Sequence, residues 1–190
     1  AAGAGGADLS AVTSAGPNNP SVLANVSSSI GTVAWSNPDN AISSNDSYAF
    51  VTLGPVVGSS SIFLKATNFN FSIPSDATIR GIKVEFERKQ VTEIFISDLS
   101  VKIVKHGTII GQNKAGAVAW TTDVDTYDTY GGASDLWGLS WTAGDINNSD
   151  FGVAIAAKSI STGTDAHIDH IRITISYQPS NTGGQGGTLV

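Results

Sequence analysis

The sequence of 190 residues contains no cysteine and no methionine. The absence of cysteine excludes disulfides, thiolate metal sites and cysteine nucleophiles. Because neither sulfur-containing residue is present to be oxidised, the composition favours an exposed, extracellular protein. The chain starts without Met on a run of small residues, Ala1 to Gly6, which predicts either a chain processed at a signal-peptidase site or a sequence whose start was not captured.

Glutamate, leucine and charge of either sign are scarce. There are three glutamates and eight leucines, and charged residues make up 14% of the chain. This composition argues against a helical bundle or coiled coil, and the abundant Ser, Thr, Asn and Gly favour β-structure with polar turns. No apolar run approaches the roughly 20 residues of a membrane-spanning helix. The net charge of −6 argues against a nucleic-acid partner.

Alternating apolar and polar residues indicate β-strands. Between residues 79 and 89, Ile82, Val84 and Phe86 alternate with three charged residues, and residues 171–177 repeat the pattern. A period of two gives a strand one dry and one wet face. Further strands are predicted at 30–35, 48–53, 61–66, 97–105, 108–110 and 151–155, with a short one near 118–120.

These eight to ten strands predict an all-β fold. Amphipathic strands of this kind form antiparallel sheets packed in two layers, so we expect a jelly-roll-like β-sandwich over residues 30–178. Residues 1–29 and 179–190 are rich in small and polar residues and are predicted to be extended arms. The long segment from 111 to 150 lacks clean alternation and is predicted to connect strands at one end of the sandwich.

The segment 120–141 concentrates aromatic residues beside carboxylates. Its rings are Trp120, Tyr127, Tyr130, Trp137 and Trp141. Flat aromatic faces beside hydrogen-bonding acids can hold a sugar ring, which makes a surface glycan a candidate ligand. Two alternatives stay open, because large aromatics also pack a long loop onto the core and anchor contacts between subunits.

Two groups of residues resemble metal ligands in part. Asp123 and Asp125 have the spacing that starts an EF-hand, but the later positions hold neither the required Gly nor the required Glu. A different Ca²⁺ site of loop carboxylates is left as an alternative. In the stretch 165–170, strand spacing places His167 and Asp169 on one face and His170 on the other, which indicates the polar start of a strand. The sequence therefore predicts no metal site.

No catalytic pattern is found either. The chain has no Gly-x-Ser-x-Gly elbow and no phosphate-binding loop, and Glu85 and Glu87 lie on the wet face of a regular strand. We therefore predict a protein that is not an enzyme and has no cofactor. Four Asn-x-Ser sequons, at Asn25, Asn45, Asn70 and Asn147, are candidates for glycosylation.

The arms indicate a partner. Ordering a Gly-rich segment costs roughly 1–2 kcal/mol of backbone entropy per residue, so an ordered arm needs a surface that holds it. A neighbouring copy offers one by accepting the arm as an added strand. The candidate interface residues are the apolar ones of the arms: Leu9, Val12, Val22, Leu23, Leu189 and Val190.

A set of short motifs carries a family resemblance. They are Trp35-Ser-Asn-Pro38, Ile73-Pro74, Tyr130-Gly131-Gly132, Phe151-Gly152-Val153 and the closing run from Asp169 to Tyr177. Over residues 33 to 178 the chain resembles a β-sandwich domain of bacterial secreted proteins and phage virion proteins. The tails and composition also resemble those of extracellular filament subunits joined by donor strands. The resemblance implies a sandwich fold and no catalytic residues.

The sequence thus favours a secreted, non-enzymatic structural subunit that self-assembles with its own copies into an extracellular filament. Two alternatives are a virion component, such as a capsid decoration or tail protein, and a carbohydrate-binding module that uses the aromatic segment.

Overall fold

The computed structural model describes residues 11–54, 56–92, 95–160 and 164–181. Within them the chain forms ten strands, a 3-10 helix at Pro38–Ile42 and one short α-helix, α1, at Ala143–Asn147. The strands are β1 (Thr13–Asn18), β2 (Val22–Val26), β3 (Ala49–Leu53), β4 (Phe63–Thr67), β5 (Thr78–Val91), β6 (Ile96–Lys105), β7 (Thr108–Ile110), β8 (Thr126–Gly131), β9 (Gly152–Ser159) and β10 (Thr164–Gln178). Both helices are five residues long, and neither of these described helices could cross a bilayer.

The strands form two antiparallel sheets that pack face to face. The first sheet has the order β1-β10-β5-β8, with β3 also paired to β10, and the second has the order β2-β4-β9-β6-β7. Setting β1 and β2 aside, β3-β10-β5-β8 faces β4-β9-β6-β7, which is the strand arrangement of an eight-stranded jelly roll. The predicted all-β, two-sheet sandwich is confirmed.

The core lies between the sheets and follows the alternation in the sequence. Ile82, Val84 and Phe86 of β5 are fully buried, as predicted, and so are Val101 and Ile155 on the facing sheet. The charged residues between them on β5 point to the outer face of the first sheet, where Glu85 pairs with an arginine of β10. One dry face per sheet therefore fixes the layer to which each strand belongs.

The pairing of β4 with β9 depends on a glycine. Gly152 lies opposite Thr67, and a Cβ atom at Gly152 would sit 1.8 Å from the backbone oxygen of Ala66. No side-chain rearrangement can relieve a clash with backbone, so the two strands can approach this closely only because residue 152 has no side chain.

The sandwich begins earlier than the sequence indicated. β1 and β2 lie inside the predicted arm 1–29, and each pairs with a strand of its own chain: Thr13 lies opposite Tyr177 on β10, and Val22 opposite Thr67 on β4. These edge strands are held mainly by backbone hydrogen bonds, and Leu23, at 9% exposed, is their one buried apolar side chain. Such strands carry little apolar periodicity for a sequence pattern to reveal.

Three further predictions differ from the structure. The strand predicted at 30–35 is wrong, because Val33 and Ser36 make only isolated bridges. The short strand near 118–120 is also absent, although the backbone amide of Trp120 bonds Ile96 at 2.9 Å. Conversely, β8 lies in the segment predicted as connecting loops. Its polar sequence shows no alternation, because only Tyr130 of this edge strand is buried.

The two ends of the sandwich differ. Where β10 begins, the described residues of four loops lie close together, and we call this the loop end: 54, 56–62, 92, 95, 120–125 and 160. About 50 Å away, where β10 finishes after 15 residues, Thr13 lies beside Tyr177, so the described chain begins close to where it ends. We call this the tail end.

Candidate functional site

The aromatic segment is largely interior. Trp120, Tyr130 and Trp137 are buried in the core, with exposed fractions of 2%, 7% and 0%. The indole nitrogen of Trp137 donates to the backbone oxygen of Ile82 at 3.0 Å, and Gly131 leaves room for its ring. These three rings cannot stack on a ligand in solution.

A buried carboxylate, Asp98 on β6, organises the same region. One oxygen accepts hydrogen bonds from the Arg88 guanidinium and from the indole nitrogen of Trp120 at 2.8 Å. The other accepts from the Tyr130 hydroxyl at 2.6 Å and from the amide of Gly116 at 2.9 Å. Arg88 belongs to β5, so this network ties the two sheets together. Burial raises the pKa of Tyr130, which keeps its phenol protonated as a donor.

The remaining two rings of the segment lie apart from each other. Trp141 is half-buried, donates to the Leu136 oxygen at 3.0 Å and meets the ring of Phe151 edge-on. Tyr127 lies on the outer face of the first sheet, under the Arg172 guanidinium at 3.7 Å. The five aromatic residues therefore do not form a platform for a sugar, and packing explains most of them.

A bulge in β10 changes the direction of its polar side chains. In the pairing with β5, Ile168 lies opposite Arg88 and His170 opposite Glu87, so Asp169 is the extra residue. Asp169 and His170 consequently share the outer face, which overturns the expectation that His170 points the opposite way. Nδ1 of His170 lies 2.8 Å from the Tyr127 hydroxyl, and its other ring nitrogen lies 2.7 Å from the Asn19 side chain.

The bulge also assembles a group of acids that we call the carboxylate cluster: Asp46, Asp125 and Asp169. One oxygen from each lies within 4.8 Å of the others. Asp169 is 1% exposed and accepts hydrogen bonds from the amides of Asn45 and Asp46, both at 3.1 Å. An all-oxygen set of this kind has the chemistry that a hard cation such as Ca²⁺ prefers.

Two side chains, Tyr48 and Lys89, contact the carboxylate cluster. The Tyr48 hydroxyl donates to Asp125 at 2.8 Å, and Lys89 reaches that hydroxyl at 3.1 Å. Oδ1 of Asp125 is buried and accepts no hydrogen bond from the residues that the structure describes, although the Lys89 ammonium lies 3.7 Å away. Burial raises the pKa of Asp169, and the negative charges of Glu87 and Asp125 raise it further. The hydrogen bonds that Asp169 accepts from the two backbone amides lower its pKa, but they do not offset these effects.

The raised pKa of Asp169 gives a pH prediction. Because the pKa of Asp169 is higher in the folded than in the unfolded state, protonated Asp169 stabilises the fold. This stabilisation is fully present at a pH below the unfolded-state pKa, and it is lost as the pH rises through the folded-state pKa. We expect carboxyl ¹³C NMR titration to show Asp169 titrating above the usual aspartate pKa of about 3.9. In Asp125→Asn its pKa should fall, because one neighbouring charge is gone.

The control for that titration is Asp76→Asn, since Asp76 is exposed in the turn before β5. This variant should leave the Asp169 titration unchanged. An Asp169 pKa at or below the usual value, or an equal response to both variants, would contradict the electrostatic account of the cluster.

Two of the four sequons use their side chains to hold the fold. The Asn25 amide bonds both the backbone nitrogen and oxygen of Trp35, at 2.8 and 2.9 Å. The Asn147 amide bonds the nitrogen and oxygen of Ile73, at 2.7 and 2.9 Å. A glycan on either nitrogen would replace a donated hydrogen bond. Asn45 and Asn70 are exposed, and no hydrogen bond donated by their side-chain nitrogens is found among the described residues.

The predicted interface residues have different environments. Val12 and Val22 are exposed, with fractions of 54% and 47%, whereas Leu23 is buried against the core. Leu9, Leu189 and Val190 lie outside the described residues. At the tail end, Val12 also borders a groove of about 820 Å³.

Comparison with known proteins adds no relative. No family model, curated protein or solved structure matches this chain.

Proposed function

We propose that this protein is a secreted, non-enzymatic structural subunit that assembles with copies of itself into an extracellular filament, through arms contributed to its neighbours. The observation that carries the proposal is the pairing of β1 with the end of β10. Thr13 pairs with Tyr177, so the described chain begins and ends at the same end of the sandwich, next to the positions where the segments 1–10 and 182–190 are attached.

The arms have the composition of an added strand. Residues 1–10 and 182–190 contain mostly Gly, Ala and other small residues, and Asp8 is their single charge. Strand addition depends on main-chain hydrogen bonds, with small side chains allowing close approach. β1 supports this mode, because it is itself a polar N-terminal segment that adds to the edge of β10 with few buried side chains.

Pairing within the chain limits the residues that we propose as arms. Residues 13–26 already pair within their own chain, so the arms available to neighbours are the segments before Ala11 and after Asn181. Edges that could accept them exist among the described residues, since β7 and β8 each pair with a strand on one side only. The resemblance of residues 33–178 to sandwich domains of secreted and virion proteins also supports a structural role.

The test compares the full chain with a chain trimmed to residues 11–181. Every described strand and the whole core lie inside those bounds, so the trimmed chain keeps all of the described contacts. We expect electron microscopy of the full chain to show regular filaments, and sedimentation velocity to show the trimmed chain as a monomer that melts at a similar temperature.

Comparing the two chains tests self-assembly and the role of the arms separately. A full chain that stays monomeric at high concentration would reject the self-assembly, and a trimmed chain that forms the same filaments would reject the role of the arms. Closed shells in place of filaments would favour the virion alternative.

A further inference from the structure

The two sides of the sandwich are closed differently. On one side β1 extends the first sheet, β2 extends the second, and residues 19–21 join them, so the chain's own N-terminal strands cover this side. On the other side the first sheet ends at β8. The facing wall there is the segment 113–120, whose amides at Lys114 and Trp120 bond the backbone of β6, both at 2.9 Å. No described strand bridges these two walls.

A groove of about 380 Å³ opens on this second side, between β8 and the segment 113–120, and we call it the side groove. All of its lining residues lie within the described ranges. Charged and polar side chains from both sheets line it, together with one glycine of the segment: Arg88, Asp98, Lys114, Gly116, Asp128 and Tyr130. The groove therefore suits an occupant that brings hydrogen-bonding groups.

β8 presents an open edge at the side groove. The amide of Gly132 bonds the oxygen of Ile82 at 3.1 Å, and the register continues through β8 without a shift. In an antiparallel pair, hydrogen-bonded residues alternate with residues whose N–H and C=O point away from the partner. The backbone groups of Tyr127, Thr129 and Gly131 therefore point away from β5, and no hydrogen bond to them is found among the described residues.

The other edge strands are protected. β1 contains Pro17 and a register shift, and the free edge of β3 is bonded through Phe50 to Ser36, at 2.7 and 3.1 Å. β2 lies beside Trp35, whose backbone bonds the Asn25 side chain, and β7 is three residues long. Prolines, bulges, covering loops and short strands are the usual ways of blunting an edge. β8 has six residues with no proline, no basic side chain and no bulge, so it is the described edge most open to a further strand.

We propose that residues 182–190 of a neighbouring copy add to β8 as an extra strand, which lies along the side groove and closes it. This inference rests on the proposed function and names the acceptor edge and the arm that it takes. Strand addition depends on main-chain hydrogen bonds, so it needs an open edge more than it needs matching side chains. Nine extended residues reach at most about 30–32 Å, whereas β8 is about 20 Å long, so the segment can pair along β8 and still span a gap between copies.

The chemistry of the side groove favours the C-terminal arm. Two nitrogens of Arg88 bond carboxylates, but Nη2 of Arg88 donates no hydrogen bond and Oδ1 of Asp128 accepts none among the described residues. A carboxamide satisfies such a pair, because its oxygen accepts and its nitrogen donates. Residues 182–190 contain one carboxamide, Gln185, between two pairs of glycines, and they carry no charged side chain. Residues 1–10 contain no carboxamide and carry one carboxylate, which the acids of the groove would repel.

A symmetric pairing of two β8 strands fits this edge less well. In the registers that overlap most of both strands, the two Asp128 side chains lie opposite or diagonal to each other. Like charges placed in this way destabilise an antiparallel pair. The uncharged segment 182–190 avoids the repulsion, which favours it over a second β8.

The first experiment removes one backbone donor from the open edge of the full chain. Thr129→Pro deletes an N–H that points away from β5, and edge strands tolerate proline where the N–H faces solvent, so the variant should melt close to the wild type. We expect its critical concentration for polymerisation to rise by at least about tenfold. The matched control is Thr129→Val, which keeps the N–H and the branched shape of an exposed side chain and should polymerise like the wild type.

Two further measurements identify the occupant. A chain that ends at residue 181 should lose polymerisation, whereas a chain that begins at residue 11 should keep it, and the opposite result would overturn the inference. In the wild type, the amides of Tyr127, Thr129 and Gly131 should exchange hydrogen quickly in the monomer and slowly in the polymer. This measurement needs no variant, so it tests β8 even if Thr129→Pro fails to fold.

The remaining outcomes separate this inference from the proposed function. Normal polymerisation of Thr129→Pro, or unchanged amide exchange of β8 in the polymer, would reject β8 as the acceptor and leave the proposed function standing. Slow exchange already in the monomer would mean that β8 is covered within its own chain, and dimers of the chain ending at 181 with protected β8 amides would assign symmetric pairing. Either result would overturn the inference. A wild type that stays monomeric would reject both proposals.

Discussion

Asp98→Ala is expected to lower the free energy of unfolding by about 3–5 kcal/mol, the usual cost of removing one partner of a buried ion pair. The Asp98 side chain is 1% exposed and that of Arg88 is 6% exposed. The substitution would leave a buried guanidinium, the Trp120 indole and the Tyr130 hydroxyl without their acceptor. Urea denaturation at neutral pH, followed by tryptophan fluorescence, measures the change.

Asp128→Ala is the matched control, because Asp128 is the other carboxylate bonded to Arg88, at 2.8 Å, and its side chain is 42% exposed. An exposed ion pair contributes about 1 kcal/mol or less, so this variant should lose far less stability than Asp98→Ala. Equal losses in the two variants would show that burial does not set the strength of the network.

Gly152→Ala is expected to have the second large effect. The added Cβ would lie 1.8 Å from the Ala66 oxygen, and only a separation of β4 from β9 could relieve the clash. Overpacking a core costs about 1–3 kcal/mol and occasionally more, and a clash with backbone belongs at the upper end of that range. Thermal and urea unfolding of the purified variant would measure the loss.

Gly132→Ala provides the comparison. A Cβ at Gly132 meets nothing within 4 Å, and its φ lies outside the left-handed region. The free energy of unfolding of Gly132→Ala should stay within about 0.5 kcal/mol of the wild-type value. If Gly152→Ala were equally neutral, the close approach of β4 and β9 would not constrain the fold.

The sequence predicts the elements whose side chains alternate strictly. Ile82, Val84 and Phe86 are interior as expected, because a strand with one wet face must bury the other. The two-layer architecture follows from several strands of this kind. Local alternation does not specify which strands become neighbours, so the pairing of β10 with β5 and β3 has no local signal.

The strands that the sequence did not predict are those held mainly by backbone hydrogen bonds. β1, β2 and β8 are edge strands with few buried side chains, so their sequences carry little apolar periodicity. The bulge at Asp169 shifts the alternation by one residue, which the amino-acid types on either side do not reveal. The carboxylate cluster depends on this bulge and on loops distant in sequence, and so it could not be predicted.

The aromatic segment shows the converse case. Its residue types are unusual, but aromatic rings beside acids are consistent with both a ligand site and a core. The partner of these rings is Asp98, which lies on β6, outside the segment, and accepts hydrogen bonds from Trp120 and Tyr130 in the interior. This contact makes the rings part of the core. A partner supplied by another sheet is a tertiary feature, which no window of the segment contains.

The pairing of Thr13 with Tyr177 also sets the order in which the molecule can fold. A ribosome makes β1 first and β10 last among the described strands, so β1 has no partner until nearly the whole chain has emerged. Contacts between residues so distant in sequence form slowly, because a long loop must close before they contribute. Closure of the β1 edge is therefore a late event during synthesis. Until then the β10 edge is open to the first strand of any chain nearby.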